Sequence, residues 1–357
     1  MAYTDIDNPE LYFQTKLYTG NGGTQSITLD GSENMRPDWV WIKPRNGSDG
    51  HVLIDSVRGA LKRLRSEGTN AEDTLSNSLT SFDNNGFTLG NAGEVNSSSY
   101  NLVSWNWAAG TSFSNDASAT SVGSVDSTGS INTTAGFSII SWTSLASGSN
   151  YTIAHGLGAV PAVIIMKGRH EANSWQVYHH KNTSAPETDY LDLSTTDATA
   201  DYPVWNDTAP TSSVFSLGTW SGFDDGGTMI AYCFAEKKGY SKFGSYVGNA
   251  NADYGTFVYT GFKPAWLLIK RSDGGTDNWN LYDNKRLGYN TNYSFLIPNE
   301  SNAENTTTST ANLDVLSNGF KIRGSTGHTN TSSGTYIFMA FAESPFVNSN
   351  GIPTNAG

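Results

Sequence analysis

Apolar residues recur along this chain in short runs bounded by Gly, Asn, Asp, Ser and Thr. Within the runs the period is two. That is the signature of strands, whose successive side chains point to opposite faces. The run beginning at Trp39 puts Trp39, Trp41 and Lys43 on one face and Val40 and Ile42 on the other. Runs from Val163 and Trp266 do the same, with Val163/Ile165 against Ile164/Met166 and Trp266/Leu268 against Leu267/Ile269. Apolar residues on both faces predict central strands covered on both sides. Two further runs carry a large face (Tyr232, Phe234; Met339, Phe341) and a small one (Ala231, Cys233, Ala235; Ala340, Ala342). The small face allows another layer to approach closely, and Cys233 belongs to such a packed strand. Helical periodicity is scarce; the best helix candidate is residues 55–64.

These runs form a pattern that occurs three times. Pro37, Pro161 and Pro264 each open a strand-like run ending in Lys (Lys43, Lys167, Lys270). Tetrads at 51–54, 175–178 and 279–282 follow, then polar stretches around Glu72, Thr199 and Glu304. Phe87, Phe215 and Phe320 come next, and closing strands at 103–108, 230–235 and 337–342 complete each copy. Five landmarks in constant order predict three repeated sandwich-like modules, of jelly-roll or lectin type, each about 105 residues long. The expected boundaries are an N-terminal arm (1–15), module one (16–109), a Ser/Thr/Gly-rich connection (110–135), module two (136–237), module three (238–345) and a flexible tail (346–357).

Composition narrows the function classes. Charged residues are 15% of the 357, well below the usual quarter, which fits an all-β protein rather than a helical one. The net charge of −12 argues against nucleic acid and anionic membrane surfaces, which need a basic patch. Apolar runs fall far short of a membrane-spanning helix, and the opening residues lack a secretory signal pattern. The single cysteine, Cys233, excludes an intramolecular disulfide and a cysteine-clustered zinc site. Synthesis and folding in a cytoplasm are expected.

The opening AYTDIDNPELYFQTKLYTGNGGTQSITLDG, with RPDWVWIKPRNGSDGHVLIDSVRGA after it, resembles a module of tailed-phage virion proteins, of the marine-phage type. So do YTIAHGLGAVPAVIIMKGR and YSKFGSYVGN with FKPAWLLIKRSD and YIFMAFAESPF. The resemblance spans roughly 16–345 and implies a tail-fibre-like β fold and a virion location. It implies no catalytic residues, since that family has no known molecular function.

Candidate chemistry is sparse. No nucleophile elbow, phosphate loop, dinucleotide fingerprint or zinc helix motif occurs. Adjacent His179 and His180 point apart on a strand and make a poor metal pair, and read as exposed loop histidines; His155 reads as part of a turn. Asp224/Asp225 and Asp273/Asp277 suit Asp-Gly turns; Ca²⁺ is possible there but unsupported, so no cofactor and no metal is assigned. Asp55/Arg58 and Asp283/Arg286 share a spacing of three and read as structural clamps. Trp39, Trp41, Trp105, Trp107, Trp175, Trp266 and Trp279 sit at landmarks and read as core. Trp205 and Trp220 lie between landmarks among polar residues, so with Asp224 they are the candidate ligand-binding residues, suited to stacking on sugars. Leu11, Tyr12 and Phe13 on the arm are candidate contacts to the virion or a neighbouring subunit.

Together these readings describe a non-enzymatic phage structural protein, made in the host cytoplasm and released by lysis on the virion. The expected role is a tail fibre or similar surface appendage in host attachment. A capsid decoration or head fibre, or a free carbohydrate-binding lectin module, are the alternatives. Expected partners are other virion proteins, a host-surface glycan or receptor, and further copies of the chain, with a trimer favoured; nucleic acid and membrane insertion are not expected.

Overall fold

Three antiparallel sheets, each built around a doubly apolar strand, organise the chain in the computed structural model, which describes residues 3–145, 149–219, 226–307 and 311–354. Strands occupy 42% of the chain and helices 3%, so the fold is all-β. Across the first sheet the order is Phe13–Thr19, Asn101–Trp107, Trp39–Pro44, Val52–Asp55. The second has Phe137–Thr143, Thr228–Phe234, Val163–Gly168, Gln176–His179 in the corresponding places. The third has Ser241–Val247, Thr335–Pro345, Phe262–Arg271, Asn280–Asp283. A smaller companion sheet accompanies each: Gln25–Thr28 with Gly86–Leu89 and Leu79–Asp83, Tyr151–Ala154 with Val214–Leu217, and Phe257–Tyr259 with Gly319–Ile322 and Leu313–Leu316. In strand Phe262–Arg271 the pairing register shifts at Pro264, which has no N–H to give to the ladder.

The two faces of the central strands go to different cores. Val40 and Ile42 pack with Phe87 and Leu89 under the first companion sheet. Ile164 and Met166 pack with Phe215 and Leu217, and Leu267 and Ile269 with Phe320 and Ile322. The opposite faces (Trp39/Trp41, Val163/Ile165, Trp266/Leu268) meet in one cluster shared by all three sheets. There Trp39 stacks on Tyr232 (centroids 4.3 Å apart), Trp107 meets Trp266 edge-on (5.5 Å) and Phe234 meets Phe341 (5.7 Å). The sheets are therefore not beads on a string; each buries one face against the other two.

Polar bonds close the ring around this cluster. Trp175 Nε1 donates to Arg65 O (2.7 Å), Trp279 Nε1 to Asp192 O (2.9 Å), and His51 Nε2 bonds Ile297 O (3.0 Å). The backbone follows the same circuit: Glu72 N–H donates to Arg169 O, Thr199 N–H to Ser272 O and Glu304 N–H to Arg45 O.

Several sequence expectations are corrected here. The connection 110–135 is not loose: Thr111–Asn115 and Ser127–Asn132 form a hairpin paired to Phe137–Thr143, extending the second sheet. The arm is not free either. Ile6 is buried in the shared cluster, Asp5 N–H donates to Lys238 O, and Phe13 begins the first strand. The tail through Thr354 folds back, with Phe346 N–H on Gly261 O and Ser349 N–H on Asp7 Oδ1 (2.7 Å). Residues 55–64 turn rather than coil. Asp55 Oδ1 accepts the N–H groups of Val57 and Arg58, and Leu61 has φ of 68°, which ends any helix. The small faces carrying Ala231, Cys233, Ala235, Ala340 and Ala342 lie beneath the companion sheets, so they offer nothing to another subunit.

Candidate ligand groove

Of the residues singled out for binding, Trp205, Tyr12 and Phe13 pack against the cores. Trp205 is 1% exposed and packs edge-on against Tyr178 (5.7 Å) in the second outer core, because the chain turns at Asn206 and Asp207, both at positive φ, and drives the indole inward. Trp220 and Asp224 lie outside the described residues. Phe13 is buried between Trp107 and Phe341, Tyr12 packs on Tyr240, and Leu11 alone of the three is exposed, at 40%. Asp273 and Asp277 both bond Arg271 (2.8 and 3.3 Å). His179 and His180 are held on carbonyls, not exposed: their Nε2 atoms bond Phe338 O (3.1 Å) and Phe243 O (2.7 Å). His155 does shape a turn, accepting the Leu157 N–H at Nδ1, but it is fully buried. Burial pushes the Cys233 thiol up to about 12, so it carries no thiolate near neutral pH.

A cleft opens in the third sheet region, at residues that the sequence pattern did not mark. After strand Asn280–Asp283, the Asp283 carboxylate accepts the Lys285 and Arg286 N–H groups (3.0 and 2.9 Å) and receives Arg286 Nε (2.6 Å). This clamp turns the chain outward. Gly288, at φ +78°, continues the excursion, which carries Tyr289 to 61% exposure. Asn290 returns the loop by bonding both the N–H and the C=O of Val315 (2.8 Å each). Asn292 ties it again, by its side chain to Asp283 O (3.0 Å) and by its backbone to Leu313.

The cleft so formed is about 800 Å³ and is lined by Lys263, Asn284, Lys285, Tyr289, Asn318 and Glu343 among others. Glu343 is the one acid among its described lining residues; it accepts Lys263 Nζ (3.0 Å) and Asn284 Nδ2 (2.6 Å). That leaves Asn284 Oδ1 buried without a donor. Lys285 is exposed and has no ion pair among the described residues. An exposed aromatic face beside amides, a carboxylate and an ammonium can stack on a sugar ring and bond its hydroxyls. A lone carboxylate already held by lysine and amide gives no acid–base pair for glycoside hydrolysis.

A family model described as a domain of unknown function (DUF7483) matches residues 8–345. The chain belongs to this family. No curated protein matches the sequence. The match runs from the 3₁₀ turn at Pro9 to the end of strand Thr335–Pro345, so the DUF7483 domain includes all three sheets and the groove.

One signal for the groove was present in the sequence. Tyr289 breaks the landmark pattern among Gly288, Asn290 and Asn292, as Trp205 does.

Proposed function

We propose that this protein is a surface component of a phage particle, a tail fibre or similar appendage, that holds a host-surface glycan in the Tyr289 groove. The reading rests on the sequence resemblance for the particle. For binding, the observation that carries it is Tyr289, 61% exposed above a cleft with an unsatisfied amide oxygen at Asn284. The role is attachment and not catalysis, in keeping with the single, engaged acid of the groove. A shared apolar centre suits such a part, because three sheets locked on one another form a stiff carrier for outer loops. Weak sugar contacts at each groove become useful through many copies on one particle.

The test has two arms. Labelled antibody against the chain, imaged on intact particles, is expected to mark tail appendages. Label on the head instead replaces the fibre reading with capsid decoration, and no label on particles removes the virion reading. Separately, the purified chain is titrated against polysaccharide from host cells, beside Tyr289→Ala. Retained binding by the variant, or no binding by either protein, overturns the assignment of the groove.

A further inference from the structure

The outer edge of each main sheet, next to the outer edge of its companion, is treated differently in the three parts of the chain. At the second sheet this place is filled. Strand Ser127–Asn132 pairs with edge strand Phe137–Thr143, and Val125 bridges to Ile153 on the companion sheet, with Ser124 N–H on Thr152 O. Phe113, Val125 and Ile131 of this hairpin pack onto the second outer core. At the first sheet the place is plugged by polar side chains. Gln25 Nε2 caps Thr19 O (3.1 Å) and Lys16 pairs with Asp30 (2.9 Å).

At the third sheet it is aromatic and only partly capped: Thr256 Oγ1 donates to Val247 O (2.8 Å), as Gln25 does to Thr19 O in the first sheet. Apart from an isolated bridge of Ser241 to Lys237, strand Ser241–Val247 pairs on one side only, with Thr335–Pro345, and strand Phe257–Tyr259 pairs only with Gly319–Ile322. Between them lies a cleft of about 360 Å³. Phe257 (46%) and Tyr259 (61%) are exposed along it, and Val247 (56%) and Tyr254 (78%) are exposed close by in sequence. Two lysines, Lys181 and Lys242, line the cleft and no acid does, in a chain of net charge −12. Lys242 is bonded to Glu236, while Lys181 has no ion pair among the described residues.

Part of the edge already has substitutes for a partner strand. Phe243 N–H donates to Glu236 Oε1 (2.9 Å), and Phe243 O is bonded by His180 Nε2 (2.7 Å). In an antiparallel pair, outward-pointing backbone groups recur at every second residue. Ser245, two residues along, therefore presents its N–H and C=O outward beside the exposed rings.

We propose that this edge receives an extended, acidic strand from a partner protein. It pairs with both backbone groups of Ser245 and with the N–H of Val247, covers Phe257 and Tyr259, and sets its carboxylates against Lys181 and Lys242. It would occupy the place that the hairpin of residues 111–132 fills at the second sheet. That hairpin carries Asp116 and Asp126 and no basic residue, so the chain itself contains an example of such an occupant. Main-chain pairing supplies affinity and the two rings and lysines supply selectivity. This surface is separate from the Tyr289 groove and does not depend on glycan binding.

The experiment is backbone hydrogen exchange on the full chain with two soluble eight-residue probes, one alternating Val and Glu and the other alternating Val and Lys. The acidic probe is expected to slow exchange at Ser245 and Val247 at least tenfold, and the basic probe to leave it unchanged. Tyr259→Ala should weaken the protection, with exchange elsewhere unaltered, which shows that the variant is folded. Protection by both probes, or by neither, overturns the proposal. Concentration-dependent self-association that Val247→Lys abolishes would also overturn it, by assigning the edge to a second copy of the chain.

Discussion

The Tyr232 hydroxyl donates to Asp55 Oδ2 at 2.7 Å across 177 residues of sequence. The same carboxylate holds Arg58 Nε at 2.5 Å, and Glu72 bridges Arg58 to Arg169 of the second sheet. The third sheet meets the first through the matching set: Trp105 Nε1 donates to Asp283 Oδ2 (3.0 Å), and Glu304 bridges Arg286 to Arg45. Between the second and third sheets, His179, Asn182 and Thr199 take these places without charge.

Asp55→Asn removes the charge facing a fully buried guanidinium, and breaking a buried pair from one side costs about 3–5 kcal/mol. Tyr232→Phe removes that hydrogen bond and the longer one the hydroxyl accepts from Arg58 (3.3 Å), and should cost about 1–3 kcal/mol. Urea unfolding followed by tryptophan fluorescence reads both. Equal losses from the two changes would mean that the clamp is not the seat of the stability.

Trp205→Ala should lower stability by about 3–5 kcal/mol, as expected for emptying a buried indole site. A midpoint that does not move would mean that Trp205 belongs to a binding loop after all.

That reversal shows what the sequence could reveal. Period two gave the central strands and their two buried faces, and Trp39, Val163 and Trp266 all stand on them. Trp39 pairs with Trp107 and Asp55, Val163 with Phe234 and His179, and Trp266 with Phe341 and Asp283. What covers those faces was not legible, because alternation reports burial without naming the covering layer. The shared cluster was therefore unseen. Polar neighbours placed Trp205 in a turn but said nothing of its side-chain direction. Strands Thr111–Asn115 and Ser127–Asn132 looked like linker because their Ser, Thr and Gly residues pair through the backbone, with only Phe113 and Ile131 as apolar anchors.

Acid should destabilise the fold through its buried histidines. His51, His155 and His179 each accept a hydrogen bond at Nδ1 and approach a backbone carbonyl with Nε2, so each is the neutral imidazole with its proton on Nε2. Burial pushes His155 down to about 4, His179 down to about 3, and His51 well below 6.5. The unfolded chain takes up these protons first, near pH 6.5. Stability is therefore fully present above that pH and falls as the pH drops toward the folded values. His155 alone accounts for about 3 kcal/mol by pH 4. Thermal midpoints between pH 7 and pH 4 should fall steadily, and less steeply in His155→Gln. Parallel pH profiles for the two proteins would exclude His155 as a contributor.

Deleting residues 1–7 should destabilise the isolated chain, since it removes buried Ile6 and the Thr4 hydroxyl bonded to Lys238 O (2.8 Å). Loss of Ile6 alone is worth about 2–5 kcal/mol. If the arm served only a neighbouring subunit, unfolding of dilute protein would be unchanged by the deletion.

Described residues near the two ends meet: Ser349 bonds the Asp7 carboxylate and Gly351 lies against the Tyr3 ring. The three sheets close in a ring about one apolar centre. In such a ring the order of the sheets along the chain is immaterial to the packing. A permutant that begins at Gly110, ends at Ala109 and joins the old termini with about six Gly/Ser residues keeps every pairing of the three sheets. Such a linker spans roughly 13 Å. Gly110 is an exposed position at φ +90°, so opening the chain there disturbs little besides its bond to Ser130. The permutant should fold with an unchanged near-ultraviolet circular dichroism spectrum, because the stacked tryptophans of the shared cluster dominate that signal. A protein that keeps its strand signal but loses the aromatic bands would show that the centre needs the native order of assembly.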